Sequence, residues 1–279
     1  MKEVRGDRWI PVQVYRGGSK ISSLFFADDV VLFAKATREQ ALLVRACLYR
    51  FCQASGQRIG VSKSRVYFSP NTKEDVVDKI CTSLDIERTS DLGKYLGVPT
   101  INGKVTRVTF HEMLHRADKR LAGWETKCLS MAGRATLISS TISAIPAHVM
   151  QPTWVPRSIC DELDRKTRRF LWGGTPGERK THLVAWDVIT KPKENGGPGL
   201  WSMHQLNSAL MMKLAWKLRT DSDGLWAQVL MRKYCNGVDV LPRSVRSDAS
   251  NTWNGIMENK DALQQNIGHA IGDGMRTFF

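Results

Sequence analysis

The sequence predicts an α+β protein: short strands built around a hairpin over residues 1–70, then a longer remainder that is mainly helical and basic. Three observations carry that expectation. Between Leu24 and Ala34 two apolar segments flank an adjacent aspartate pair, Asp28 and Asp29, in the manner of two strands joined by a turn. From Phe110 onward apolar residues recur at spacings of three and four, the period of a one-sided helix. The charge balance also shifts: between Ile101 and Trp172 there are 12 Lys or Arg against 6 Asp or Glu, a net of +6.

Across all 279 residues, 42% are hydrophobic, enough for a sizeable core and for two or more units. The formal charge of +14 favours polyanionic partners, nucleic acid first and anionic membrane second. No apolar run approaches the length of a membrane span, and the first residues lack an apolar signal core, so a soluble intracellular chain is expected. Six cysteines lie far apart with no CxxC pair, which points to reduced, mostly buried thiols.

In chain order, Trp9–Tyr15 alternates as a strand, Arg16–Ser19 turns, and Ile21–Ala27 and Val30–Ala34 form two further strands. Thr37 and Gln40 make a capping box for a helix that sets Ala41, Val44, Leu48 and Phe51 against the sheet and stops near Gly56. Lys63–Ser69 is a strand ended by Pro70, and Asn71 or Thr72 caps a short helix ending near Leu84. Residues 71–100 then act as a connector, closing on the glycine-punctuated Leu92–Pro99. Residues 101–175 form a basic helical domain. Its first helix carries Phe110, Leu114, Ala117, Leu121 and Trp124 inward. Its second runs from Ala132 to Ile145 and ends at Pro146. Its third opens at Pro156 and turns Ile159, Leu163 and Phe170 inward, leaving Arg165, Lys166, Arg168 and Arg169 on an outer face suited to a phosphate backbone or simply to water. Residues 176–279 are mainly helical, with Lys191–Gly199 as a boundary loop. Leu206, Leu210, Leu214 and Leu218 lie on one helix there, Leu225–Tyr234 on another, and the tail from Asn236 is unassigned.

Two motifs suggest chemistry. Adjacent carboxylates in an apolar run repel each other and are costly to bury, so they belong at an exposed turn or against divalent cations. An acidic hairpin turn and a metal-binding turn fit Asp28 and Asp29 equally. His111-Glu112-Met113-Leu114-His115 satisfies HExxH, which on a helix places two histidines one turn apart, as a zinc peptidase requires. No third ligand stands in a recognisable second motif, and packing fully explains the stripe of the same helix.

Phe25-Phe26-Ala27-Asp28-Asp29 resembles the aromatic-Ala-Asp-Asp hairpin of reverse transcriptases, in the form typical of plant LINE-type (non-LTR) retrotransposons. Further segments resemble that family in order and spacing. They are Ser55–Ile59 with Lys63-Ser64, Leu92–Pro99, Leu121–Trp124, Leu129–Arg134, Arg169–Gly173, Trp186 with Pro192-Lys193, and Ala270–Gly274. The resemblance implies the end of a polymerase palm (residues 1–70), a thumb-like helical region, and RNA-directed DNA polymerisation with an RNA template and a DNA primer. It implies that Asp28 and Asp29 belong to a carboxylate set around two Mg²⁺ ions, with Asp28 the direct ligand, and that Lys63 approaches the nucleotide phosphates. It also implies nuclear work, although no basic import cluster is present.

One departure qualifies this. The family needs another aspartate from a strand well upstream, and only 27 residues precede Asp28 here, among them the single aspartate Asp7. The expectation is a chain inactive on its own, ending before the family's zinc-binding segment. The competing readings are a basic helical module that binds nucleic acid without catalysis, and an unstable fragment with exposed strand edges near Ile10 and Val66.

Overall fold

The computed structural model describes residues 8–14, 18, 20–125, 129–174, 180–221, 223–235 and 249–268. Asp7, Cys128, the Ala270–Gly274 stretch and Thr277–Phe279 lie outside the described residues. The fold is α+β, with small separate strand pairs and a helical majority, in two compact units, Met1–Tyr95 and Leu96–Phe279.

In the first unit, β1 (Val12–Gln13) pairs antiparallel with β2 (Lys20–Ile21), and β3 (Ser23–Phe26) with β4 (Asp29–Leu32). The strand expected over Trp9–Tyr15 is therefore two residues long. Helix α1 (Arg38–Ser55) starts where Thr37 Oγ1 accepts from Gln40 N, and it stops at Gly56, whose φ of +72° suits glycine. The reciprocal half of the expected capping box is absent. The Gln40 amide instead reaches 30 residues back, accepting from Ile10 N at 2.8 Å, and donates to Arg8 O at 2.7 Å. That staple, with Trp9 Nε1 donating to Phe33 O, ties the N-terminal segment to β4 and α1. The inward stripe on α1 also differs from expectation: Gln40 and Ala41 are buried, whereas Phe51 is 50% exposed. The reason is that α1 packs on helix α2 (Glu74–Leu84), where Val77 and Ile80 are buried, and has no broad sheet beneath it. Around α2, β5 (Val66–Tyr67) and β6 (Arg88–Thr89) pair in parallel, so the strand expected from Lys63 shrinks to two residues. Short strands β7 (Lys94–Tyr95) and β8 (Val98–Pro99) complete the connector.

The second unit follows the predicted helical stripe closely. On α3 (His111–Glu125), Leu114, Ala117 and Leu121 are fully covered together with Phe110, and Trp124 packs at a tilt on Phe170 with ring centres 5.9 Å apart. Pro146 does not end the next helix. The chain runs through α4 (Met131–Leu137), a π-helical turn over Ile138–Ile142, and α5 (Ala144–Met150), with Pro146 buried in the first turn of α5. A first-turn residue has no intrahelical acceptor for its N–H, so proline costs little there. At the start of this unit Leu96 and Gly97 both take left-handed backbone (φ +53° and +79°), and His148 on α5 holds the Leu96 carbonyl at 2.8 Å. Helix α6 (Arg157–Leu171) buries Ile159, Leu163 and Phe170 as expected. It ends at Gly173, φ +72°, where the Arg134 guanidinium occupies the space a Cβ would need.

Lys191–Gly199 is not a boundary. The core that begins at Phe110 continues through Ile189, on the short helix α7 (Trp186–Ile189), to Leu200 and Met203. Helix α8 (Met203–Thr220) buries Met203, Asn207, Met211, Ala215 and Leu218; the expected Leu206, Leu210 and Leu214 lie one position aside, half-buried. Its C-terminal half joins a second cluster with α9 (Leu225–Leu230) and the following π-helical turn Met231–Cys235. The unassigned tail supplies the rest of that cluster, through α10 (Asn251–Glu258) and α11 (Lys260–Gln265). Trp253 stacks on Tyr234 at 4.5 Å, and Asn251 pairs both ways with the Trp154 backbone, at 2.7 and 2.9 Å. The five described cysteines form no disulfide with one another, and of these five Cys160 and Cys235 are buried.

Candidate metal centre and nucleic-acid interface

The aspartate pair sits where the strand pattern places it. Register in the β3–β4 hairpin runs Ser23↔Leu32, Leu24↔Val31, Phe25↔Val30 and Phe26↔Asp29, which leaves Ala27-Asp28 as a two-residue loop. Ala27 takes φ +50°. A positive φ at the first loop position belongs to the primed turns, whose twist matches paired strands; for an alanine it costs about 1–2 kcal/mol. Asp28 is thus held at the tip and Asp29 opens β4. Both are exposed, and their carboxylates take no hydrogen bond or ion pair among the described residues. The flanking arms are open as well: Phe25 is 61% and Phe26 58% exposed. The desolvation cost inferred from the apolar run therefore does not arise, because a two-stranded ribbon covers neither of its own faces.

As metal donors the two carboxylates are of the right kind for Mg²⁺, which prefers hard oxygen ligands. Their number is short. Among the described residues no group of three or more His, Cys, Asp or Glu stands close enough to hold an ion. The pair by itself does not form a two-metal centre. Lys63 is the last residue of a 3-10 turn, Val61–Lys63, not the start of a strand, and it is exposed. It makes no hydrogen bond or ion pair with Asp28 or Asp29.

The HExxH residues lie on the exposed face at the start of α3. The His111 and His115 rings stack nearly parallel, 6.2 Å between centres, and no third ligand joins them among the described residues.

The cationic outer face expected on α6 is largely half-covered by neighbours. Only Arg165 is exposed. Lys166, 16% exposed, donates to both Asp118 oxygens at 2.7 and 2.6 Å and lies 3.3 Å from Glu162. Glu162 in turn takes a bidentate pair from Arg107, at 3.0 and 2.8 Å. The Arg107 hydrogen bond is the main reason the Glu162 carboxyl is held below its usual range. Arg168 stacks its guanidinium over the Trp186 ring at 5.4 Å, and Arg169 is half-buried. Packing thus takes up Lys166 and Arg168 and leaves Arg165 exposed.

Sequence reasoning missed Asp164. It lies on the covered face of α6, and its Oδ1 accepts from Met203 N at 2.9 Å, capping the start of α8. Burial pushes its carboxyl up to about 6, against the opposing pull of that hydrogen bond. The signal was present: Cys160, Leu163, Asp164 and Thr167 share one face at spacings of three, one and three, all buried.

No protein-family profile matches the chain. Two proteins of Arabidopsis thaliana are similar to it. One, provisionally named a ribonuclease H protein, is 36% identical over 185 residues, which is 65% of this chain and 30% of that protein. The other, an uncharacterized mitochondrial protein, is 27% identical over 135 residues, 48% of this chain and 88% of that protein. The chain thus spans 30% of the length of the first relative.

Proposed function

We propose that this chain is part of the reverse transcriptase of a plant LINE-type retrotransposon, carrying one arm of the metal site and a helical region that holds an RNA template and a DNA primer. The observation that carries the reading is the placement of Asp28 and Asp29 at an exposed hairpin tip directly after Phe25-Phe26, with Ala27 held at a costly φ. Backbone strain of this kind collects at functional sites. Similarity to a protein named for ribonuclease H, an activity on nucleic acid, supports a retroelement origin, and the charge of +14 supports a polyanionic ligand. In a complete carboxylate set Mg²⁺ supplies activation of the primer hydroxyl and stabilisation of the leaving pyrophosphate. Here Asp28 and Asp29 contribute two carboxylates and no third joins them among the described residues, so the chain on its own binds primer–template without extending it. Exposed Lys63 is free to meet nucleotide phosphates, and the site of action is the nucleus.

The test is primer extension on an RNA template with Mg²⁺, run beside a binding titration against salt. The expected result is no extension and an affinity that falls steeply with salt, as counterion release requires. Synthesis that disappears in Asp28→Asn would overturn the claim of an incomplete site. A flat salt dependence would overturn the nucleic-acid reading.

A further inference from the structure

The outer side of α8 carries a group that packing does not use. Met211, Ala215 and Leu218 face inward, while Lys213, Trp216, Lys217 and Thr220 all face solvent. Trp216 is 44% exposed, although tryptophan is among the most covered residue types on average. On a helix, Lys213 is an i,i+3 neighbour of Trp216 and an i,i+4 neighbour of Lys217, with Cβ atoms about 5–6 Å apart, so the two lysines form a pair one turn apart along the same side of the Trp216 position. No carboxylate answers them among the described residues. α8 contains no acidic residue, and Asp221 and Asp223 come only after its end. An ordinary solvated helix face carries opposite charges at i,i+4 and keeps its large rings covered.

We propose that Lys213, Trp216 and Lys217 form a binding site for single-stranded nucleic acid, in which one unpaired base stacks on the Trp216 indole and the two lysines beside it hold successive phosphates of the strand. The ring offers a flat apolar face, which a base uses only when it is not already stacked in a duplex. The adjoining positive charge is complementary to a phosphate backbone. It argues against a protein partner, because lysine is depleted at the centre of protein interfaces. A membrane is disfavoured too, since Trp216 is the single exposed apolar residue of α8 and no apolar stripe runs beside it on that helix. The site rests on the nucleic-acid reading above for its class of ligand. It uses none of Asp28, Asp29 and Arg165.

The experiment measures anisotropy of labelled oligo-dT and of the matching oligo-rU with the full chain. Trp216→Ala is expected to weaken binding about tenfold, and Trp216→Phe to keep most of it. Lys213→Gln with Lys217→Gln is expected to lower the slope of log affinity against log salt by about 1.4, roughly 0.7 for each phosphate contact on a single strand. Trp201→Ala, at another exposed tryptophan, serves as the control and should leave binding as it is. A loss on both polymers, or on one alone, supports the site, the latter assigning it to that sugar. If the wild type binds neither oligonucleotide, the nucleic-acid reading itself fails. If it binds both and Trp216→Ala binds equally well, the reading stands and the α8 site is overturned.

Discussion

Replacing Asp164 with asparagine tests how the two halves of the helical unit are joined. The Asp164 carboxyl accepts from Met203 N, so it fastens α6 to the start of α8, and it does so at a site where burial raises it from 3.8 to about 6. Between those two values the folded chain holds the proton and the unfolded chain has released it. Stability from this group is therefore fully present below about 4 and is lost as pH rises through about 6. The gap of about two pH units, at 1.36 kcal/mol each, corresponds to about 3 kcal/mol. Asparagine keeps an oxygen for Met203 N and cannot ionise. Urea unfolding of wild type and Asp164→Asn across pH 4 to 8, in about half-unit steps, isolates this contribution in the difference between the two curves and cancels carboxylates of opposite sign such as Glu162. The difference should shift in favour of the variant by about 2–3 kcal/mol from the acid end to the neutral end. A difference that does not change with pH would refute the reasoning, because the carboxyl would then titrate alike in both states.

Two further substitutions probe the packing. Gly173→Ala meets both a left-handed backbone and the Arg134 guanidinium, and it should lower stability by about 1–2 kcal/mol; adding Arg134→Ala should recover the steric part and leave the backbone part, as read by thermal unfolding. Trp253→Ala, deep in the second cluster against Tyr234, should cost about 3–5 kcal/mol and lower the midpoint of the whole helical unit, whereas a midpoint close to wild type would mean that α10 is not part of that core.

Local pattern made much of this legible. The β3–β4 hairpin follows from alternation and from an Asp-Asp pair that suits a turn, and α3 and α6 follow from apolar residues spaced three and four apart. The same patterns misled where periodicity meets context. The leucines of α8 are regular, yet α8 is packed on two sides and buries the neighbouring row through Met211 and Ala215. Pro146 stops a helix only if its N–H was needed, and a π-helical turn just before it moves the helix start so that it was not. The helices α10 and α11 were hidden because their apolar residues are few and gain their cover from distant partners, as Asn251 does from Trp154, 97 positions away.

By itself the sequence determined the fold class, the hairpin that carries Asp28 and Asp29 at its tip, and the inward faces of α3 and α6, because each depends on the order of residues within a few turns of chain. Only the tertiary structure decided which charges are free. Lys166 meets Asp118 from 48 positions away and Arg107 meets Glu162 from 55, so a lysine that looks like part of an open cationic face is taken into a half-exposed ion-pair network. The same distance effect exposes Phe25 and Phe26 and buries Asp164. A side chain's pattern says which way it points, and long-range packing says what it finds there.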